Sequence, residues 1–228
     1  MRSMEAPIEM KIFLKDDTLI SRLPYRLAPK ETQEVNAQID TWLESGVIRP
    51  STSEFASNVV VARKKGGKPW VCINYKPLNT VVIRKRQPLP LIEDVIDRLV
   101  GIEVFAMLDL KDGFFHVPVE ESSRKHTSFV TPSGQWEFCK VPFGLCNSQP
   151  VFQRYIQFIL KDPIREKILM IYIDDLIILA ENLSEALENL KKVLEVAAPY
   201  ELQFNWKKCQ ILKRKIEFLG YTVEAGKI

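Results

Sequence analysis

Two adjacent carboxylates sit at the centre of an apolar run, Ile168-Leu169-Met170-Ile171-Tyr172-Ile173-Asp174-Asp175-Leu176-Ile177-Ile178-Leu179. The flanks are strongly β-forming and contain neither Gly nor Pro. The run therefore predicts two buried strands joined by a tight turn at Asp174-Asp175. Asp-Asp between bulky neighbours is poor hairpin chemistry, which favours Asn-Gly or Asp-Gly. Two carboxylates about 4 Å apart repel by roughly 4 kcal/mol at an effective dielectric of about 20. A divalent cation is the simplest group that offsets this; a solvated acidic turn is the plain alternative. A third carboxylate, Asp109, lies in another buried-strand pattern, Val104-Phe105-Ala106-Met107-Leu108-Asp109-Leu110. An unpaired Asp in a buried strand is unfavourable by several kcal/mol, so it needs a partner. Beside Asp174 and Asp175 it would complete a hard-oxygen site for one or two magnesium ions. Such sites serve phosphoryl transfer with metals about 3.5–4 Å apart.

The elements that must hold these residues can be read in order. Ile8 to Leu14 alternates and predicts an edge strand. Glu31 to Ser45 predicts a helix with Val35, Gln38, Ile39, Trp42 and Leu43 on one face, stopped at Gly46. Val59 to Lys65 and Trp70 to Tyr75 predict a hairpin turning at Gly66-Gly67. Leu91 to Val100 predicts a short helix with Val95, Ile96 and Leu99 inward. A second hairpin turns at Pro132-Ser133-Gly134, and a helix capped by Ser148 runs to about Leu160. Another helix, capped by Ser184, carries Leu187, Leu190, Val193, Leu194 and Ala197 as its stripe. Leu202 to Leu212 and Lys215 to Val223 are strand-like. Mixed strands and helices predict an α+β fold, an antiparallel sheet backed by helices.

Composition excludes several classes. The 228 residues, 46% hydrophobic, support a sizeable core, and no apolar run is long enough to span a membrane. The first residues, Met1 to Lys11, lack the apolar centre of a signal peptide. Cys72, Cys139, Cys146 and Cys209 have no zinc spacing and fit reduced thiols of an intracellular protein. The net charge of +3 says little, but its distribution says more. From Arg63 to Arg86 there are eight Lys/Arg and no Asp/Glu, which suits a phosphate-facing surface or a solvated loop.

The pattern Tyr172-Ile173-Asp174-Asp175, with Leu108-Asp109-Leu110-Lys111-Asp112-Gly113-Phe114-Phe115 upstream, resembles the active site of a reverse transcriptase. Pro142-Phe143-Gly144-Leu145, Phe152-Gln153-Arg154 and Phe218-Leu219-Gly220-Tyr221 follow in the family's order. The resemblance is to the gypsy class of long-terminal-repeat retrotransposon Pol polyproteins and runs from about Leu23 to the C-terminal residue. It implies a right-hand polymerase with fingers at residues 23–83 and 117–147, palm at 84–116 and 148–228, and a lead segment at 1–22. The chain stops just after the primer-grip motif, so the thumb, the connection and the ribonuclease H domain are expected to be absent.

The activity so implied is RNA-directed DNA polymerisation, a nucleotidyl transfer assisted by two Mg2+ or Mn2+ ions. Asp109, Asp174 and Asp175 would hold the metals with the Leu110 carbonyl, and Asp175 would be the supporting member. Lys208 matches the lysine that protonates pyrophosphate. Lys64 or Lys65 would meet the triphosphate, Asp112 and Gly113 would offer backbone N–H groups, and Phe114 would gate the 2′ position. Phe143 and Gly144 would flank the nucleotide, and Phe218, Leu219, Gly220 and Tyr221 would grip the primer. Phe115, His116 and His126 fit structural roles. The implied partners are an RNA or DNA template-primer, deoxynucleoside triphosphates and the other Pol domains. The implied setting is the cytoplasm, including virus-like particles, with no membrane.

The fingers motif of the family, Arg-x-Cys-x-Asp-Tyr-Arg, is altered here to Trp70-Val71-Cys72-Ile73-Asn74-Tyr75-Lys76. Trp70 replaces an arginine that clamps the triphosphate, and Arg and Lys are not equivalent at bidentate sites. The competing reading is a remnant, decaying or retained by a host, that at most binds nucleic acid. A generic RNA-binding module is a third reading, but it has no need of three buried aspartates.

Overall fold

The computed structural model describes residues 4, 6–63, 67, 69–85, 92–172, 175–218 and 220–224. In chain order the elements are α1 (Pro29–Glu44), β1 (Ile48–Pro50), β2 (Ser57–Arg63), β3 (Pro69–Asn74), α2 (Lys76–Val81), α3 (Ile92–Asp97) and β4 (Val104–Asp109). Then come α4 (Glu121–Arg124), β5 (Phe129–Thr131), β6 (Gly134–Phe138), α5 (Ser148–Ile159), α6 (Lys161–Arg165), β7 (Leu169–Tyr172) and β8 (Asp175–Ala180). The chain closes with α7 (Leu183–Ala197), β9 (Gln210–Lys213), β10 (Lys215–Phe218) and β11 (Tyr221–Glu224). It forms two compact units. One comprises Ile8–Arg86 and Phe114–Phe152; the other comprises Met1–Pro7, Gln87–Gly113 and Gln153–Ile228.

The first unit is built on a five-stranded sheet ordered β1-β6-β5-β2-β3. Only its β2–β5 pair is parallel. Pro29 opens α1, where a missing N–H is harmless, and the Glu31 carboxylate accepts the Ala28 N–H. Gly46, at φ +66°, ends the helix. Trp42 packs edge-on against Phe115, Phe129 and Phe138, whereas Leu43, expected on the same face, is exposed. Tyr75 is fully buried and donates to the Thr127 carbonyl at 2.7 Å. The expected edge strand from Ile8 to Leu14 makes only isolated bridges, Met10 to Val119 and Leu14 to Val82. Its two ends have different partners, so no continuous ladder forms.

The second unit is built on an antiparallel sheet ordered β7-β8-β4-β9. β7 and most of β8 are buried on both faces, which is why their sequence is a continuous apolar run instead of an alternation. The register places Phe105, Met107 and Asp109 opposite Leu179, Ile177 and Asp175. Phe105, Ile177 and Leu179 join Val95, Leu99, Met170, Tyr172, Ile216, Phe218 and Val223 in one apolar cluster. Strand alternation puts Val104 and Ala180 on the other face, where Ala186 of α7 covers them. The paired aspartates and α7 thus lie on opposite faces of the sheet.

Four expectations differ from the structure. Asp175 is a strand residue, the first of β8 and paired with Tyr172, so it is not part of a turn. The cap of α7 is Asn182, whose side chain accepts the Glu185 N–H at 3.0 Å, while the Glu185 carboxylate accepts the Glu181 N–H. Leu187, expected on the buried stripe, is exposed, and Ala186 and Asn189 are buried instead. Residues 202–209 form no strand. A turn closed by the Lys208 N–H on the Asn205 carbonyl, at 2.8 Å, interrupts them. Ser148, the expected cap of α5, instead donates its hydroxyl to the Pro142 carbonyl at 2.6 Å.

Candidate active site

Asp109 is the last residue of β4, and its main chain is fixed from one side by the segment that follows α7. The Asp109 carbonyl accepts the Asn205 N–H at 2.8 Å, and its N–H donates to the Cys209 Sγ at 3.4 Å. One residue on, Leu110 bridges to Phe204, and the bond of that bridge at Lys111 runs to the Gln203 carbonyl at 2.8 Å. The bridge is therefore made through Asp109 and Lys111 and does not engage the Leu110 carbonyl. Across the ladder, Asp175 faces Asp109 directly. The Asp175 carboxyl is pushed up, first by burial and then by the charge of Asp109. The Lys208 ammonium reaches the Asp109 Oδ2 at 3.4 Å. The β4–β8 register and the turn at residues 205–208 thus assemble two carboxylates and one ammonium at the same end of the sheet.

This donor set fits a hard divalent cation, since two opposed carboxylates repel until a charge of higher valence joins them. Among the described residues no group of three His, Cys, Asp or Glu side chains is placed to hold a metal. Asp174, the third expected ligand, lies outside the described residues, as do Lys64, Lys65 and Leu219.

The remaining predicted residues fall into local groups. Asp112 adopts a left-handed backbone at φ 49°, a conformation that Asp tolerates better than most side chains. It leads into a tight helical turn, Gly113–His116. In the first unit Phe114 packs against Phe143 at 4.7 Å and Phe152 at 5.2 Å between ring centroids. Phe115 packs against Trp42, Phe138 and Phe143. Phe143 is exposed, and Gly144 has φ +91°. Trp70, on β3 opposite Ala62, is 44% exposed, so it is not a buried packing residue. In the second unit β10 and β11 form a hairpin with Phe218 opposite Tyr221. Phe218 is buried against Tyr172, at 5.9 Å between rings, and Tyr221 is exposed. His126 packs edge-on to Phe55, and burial lowers its pKa. The four cysteines are free thiols.

Sequence reasoning missed two asparagines. The Asn79 amide donates to the Gly144 carbonyl and accepts the Cys146 N–H, both at 2.8 Å. Asn147 is fully buried; it donates to the Ile83 carbonyl and accepts the Lys85 N–H, both at 2.9 Å. Together they lock the loop at residues 142–147 to the end of α2 and the segment after it. The only sequence signal was a polar residue at each position.

Comparison with known proteins places the site in a family. Residues 62–223 match the family described as reverse transcriptase (RNA-dependent DNA polymerase). The chain belongs to the reverse transcriptase family. It is 36% identical, over 231 residues, to the retrovirus-related Pol polyprotein of transposon opus from Drosophila melanogaster, covering 99% of this chain and 23% of that polyprotein. It is 35% identical, over 195 residues, to the corresponding polyprotein of transposon gypsy from the same organism, covering 83% of this chain and 19% of that one. Against these relatives, this reverse transcriptase chain thus spans about a quarter of their length or less. A foamy viral protease–reverse transcriptase solved in complex with an RNA/DNA hybrid superposes with a TM-score of 0.82 at 22% identity, over 93% of this chain and 28% of that one. The likeness establishes the α+β polymerase fold expected from the sequence. Among the described residues no helix is long and apolar enough to cross a membrane.

Proposed function

We propose that this chain is the RNA-directed DNA polymerase portion of a gypsy-class retrotransposon Pol polyprotein. The observation that carries the proposal is the direct opposition of Asp109 and Asp175, with Lys208 beside Asp109. The fingers are residues 23–83 and 117–147, the palm is 84–116 and 148–228, and 1–22 is a lead segment. The substrates are a primer annealed to an RNA or DNA template and a deoxynucleoside triphosphate. The foamy viral enzyme in complex with an RNA/DNA hybrid supports the first of these. The other Pol domains are its natural partners, in an intracellular setting.

The reaction is attack of the primer 3′-hydroxyl on the α-phosphate, with loss of pyrophosphate. Asp109, Asp174, Asp175 and the Leu110 carbonyl would hold two Mg2+ or Mn2+ ions, which when bound acidify the hydroxyl and neutralise the departing charge. Lys208, whose ammonium lies beside Asp109, gives up a proton to the pyrophosphate oxygen. Asp112 and Gly113 present N–H groups to the triphosphate, and Lys64 or Lys65 meets it as a cation. Phe114 is held by Phe143 and Phe152, so it can exclude a 2′-hydroxyl by bulk. Phe143 and Gly144 flank the nucleotide. Phe218 anchors the primer-grip hairpin in the core, while Gly220 and the exposed Tyr221 meet the primer. Positioning and charge, not covalent chemistry, supply the rate.

Primer extension on an RNA template with magnesium or manganese tests this. Asp174→Asn should abolish extension and leave template-primer binding largely intact; equal extension by the variant would refute the assignment. A nucleic-acid-binding remnant is the second reading, favoured by Trp70 and Asn74 where the family carries charged groups. Wild-type chain that binds template-primer but never extends it would establish the remnant.

A further inference from the structure

The segment between Leu202 and Ile216 carries Lys207, Lys208, Lys213, Arg214 and Lys215 and no Asp or Glu. The register lays this segment along one sheet edge. Phe204 bridges to Leu110, Gln210 pairs with Met107, and Lys213 pairs with Phe105, with β9 outermost. From Phe105 to Leu110 that edge is about 17 Å long at about 3.3 Å per residue. Lys208 faces Asp109, and Lys215 pairs with Glu224 at 3.1 Å. Lys207, Lys213 and Arg214 are exposed and make no ion pair among the described residues.

Trp206 adds a second, independent signal. It occupies a corner of the turn closed by the Lys208 N–H on the Asn205 carbonyl. Turn corners favour Gly, Pro, Asn, Asp and Ser, so an indole is not there to make the turn. Nor is it there to pack, since it is 58% exposed and touches one ring, Phe204, at 5.5 Å. The turn is tied to the Asp109 carbonyl through Asn205, so the indole has a fixed base. A fixed, exposed aromatic beside cations is the surface that unpaired bases and their phosphates recognise.

We infer that this edge binds a single-stranded polynucleotide, with a base stacked on Trp206 and phosphates along Lys207, Lys213 and Arg214. The inference extends the polymerase reading to strand lying outside the primer duplex, but binding here does not require catalysis. A cationic edge that only prevents strand-to-strand association is the competing account.

The test is fluorescence anisotropy of labelled oligo(dT) with the full chain across a salt series. The triple variant Lys207→Ala, Lys213→Ala, Arg214→Ala should lower the log–log salt slope by about 2, at about 0.7 for each lost single-strand contact. Trp206→Ala should weaken binding about 5- to 150-fold at unchanged slope. The double variant Lys213→Ala, Arg214→Ala, which leaves the turn at residues 205–208 untouched, should not alter single-nucleotide incorporation on a short template-primer whose template overhang is a single nucleotide. A blunt duplex should compete poorly, because paired bases cannot stack on the indole. An unchanged slope and affinity in the triple variant, with self-association seen by size-exclusion chromatography, would overturn the inference in favour of edge protection. An unaltered affinity in Trp206→Ala would overturn the stacking contact. If wild type extends no primer yet the variants lose oligo(dT) binding, the surface stands and the polymerase reading fails.

Discussion

Replacing Asp175 by Asn should stabilise the metal-free protein. Asp109 and Asp175 are direct cross-strand neighbours, a relation that sets Cβ atoms about 4.5–5.5 Å apart. Two unit charges about 5 Å apart interact by roughly 3 kcal/mol at an effective dielectric of about 20. The Asp109 side chain is 35% exposed and faces Lys208, so solvent and the ammonium reduce the repulsion to about 1–2 kcal/mol. The raised Asp175 pKa has the same sign. The folded state holds this proton more tightly than the unfolded chain does. The associated stability is full below the ordinary carboxylate pKa and is lost as pH rises through the raised value. At neutral pH the ionised carboxylate is therefore destabilising, and Asn removes it. In a chain of this size about 1 kcal/mol corresponds to about 2–4 °C, so Asp175→Asn should melt about 2–8 °C higher in EDTA. Magnesium should raise the wild-type Tm more than that of the variant. Differential scanning fluorimetry in EDTA and across a magnesium titration measures both. A variant melting at or below wild type in EDTA would refute the repulsion, and an equal magnesium response would refute the metal role.

Other outcomes follow from the same geometry. Trp70→Arg restores a bidentate cation at an exposed position, so kcat/KM for single-nucleotide incorporation should rise about 10- to 150-fold with little change in Tm; a folded variant with no gain refutes the clamp. Burial holds the His126 pKa below its ordinary 6.5, so its contribution is lost as pH falls through 6.5 and on through the lowered value. The Tm should drop as pH falls below about 6.5, and His126→Phe should flatten that drop; parallel curves would show that another group is responsible. Asn79→Ala leaves the Gly144 carbonyl and the Cys146 N–H without their partner. It should destabilise by about 1–3 kcal/mol and raise the nucleotide KM while template-primer affinity holds; an unchanged KM in a folded variant would show that the loop keeps its place unaided.

The central sheet was legible because β4, β7 and β8 are buried on both faces and so appear as unbroken apolar runs. The partnership of Asp109 with Asp175 followed from the penalty of burying each alone. Asp175 was expected in a turn and instead begins β8, since apolar flanks do not say which Asp belongs to the ladder. Asn182 was passed over for Ser184 because both are good caps, and only the Glu185 bond decides between them. Residues 202–209 resemble a strand in composition, yet one turn bond at Asn205 and Lys208 breaks them. Asn79 and Asn147 left no legible mark, since each binds main-chain atoms more than sixty positions away in sequence.

That last feature bears on how this loop can change over generations. Every bond made by the two asparagine side chains ends on a main-chain atom: the Gly144 carbonyl, the Cys146 N–H, the Ile83 carbonyl and the Lys85 N–H. The course of the loop is therefore independent of the side chains it displays. The exposed Phe143 and the half-buried Cys146 can drift, and with them the surface offered to a substrate, while the chain keeps its track and Leu145 stays in the core. Gly144, held at φ +91°, is denied that freedom. Selection can alter what this loop recognises without first having to rebuild it.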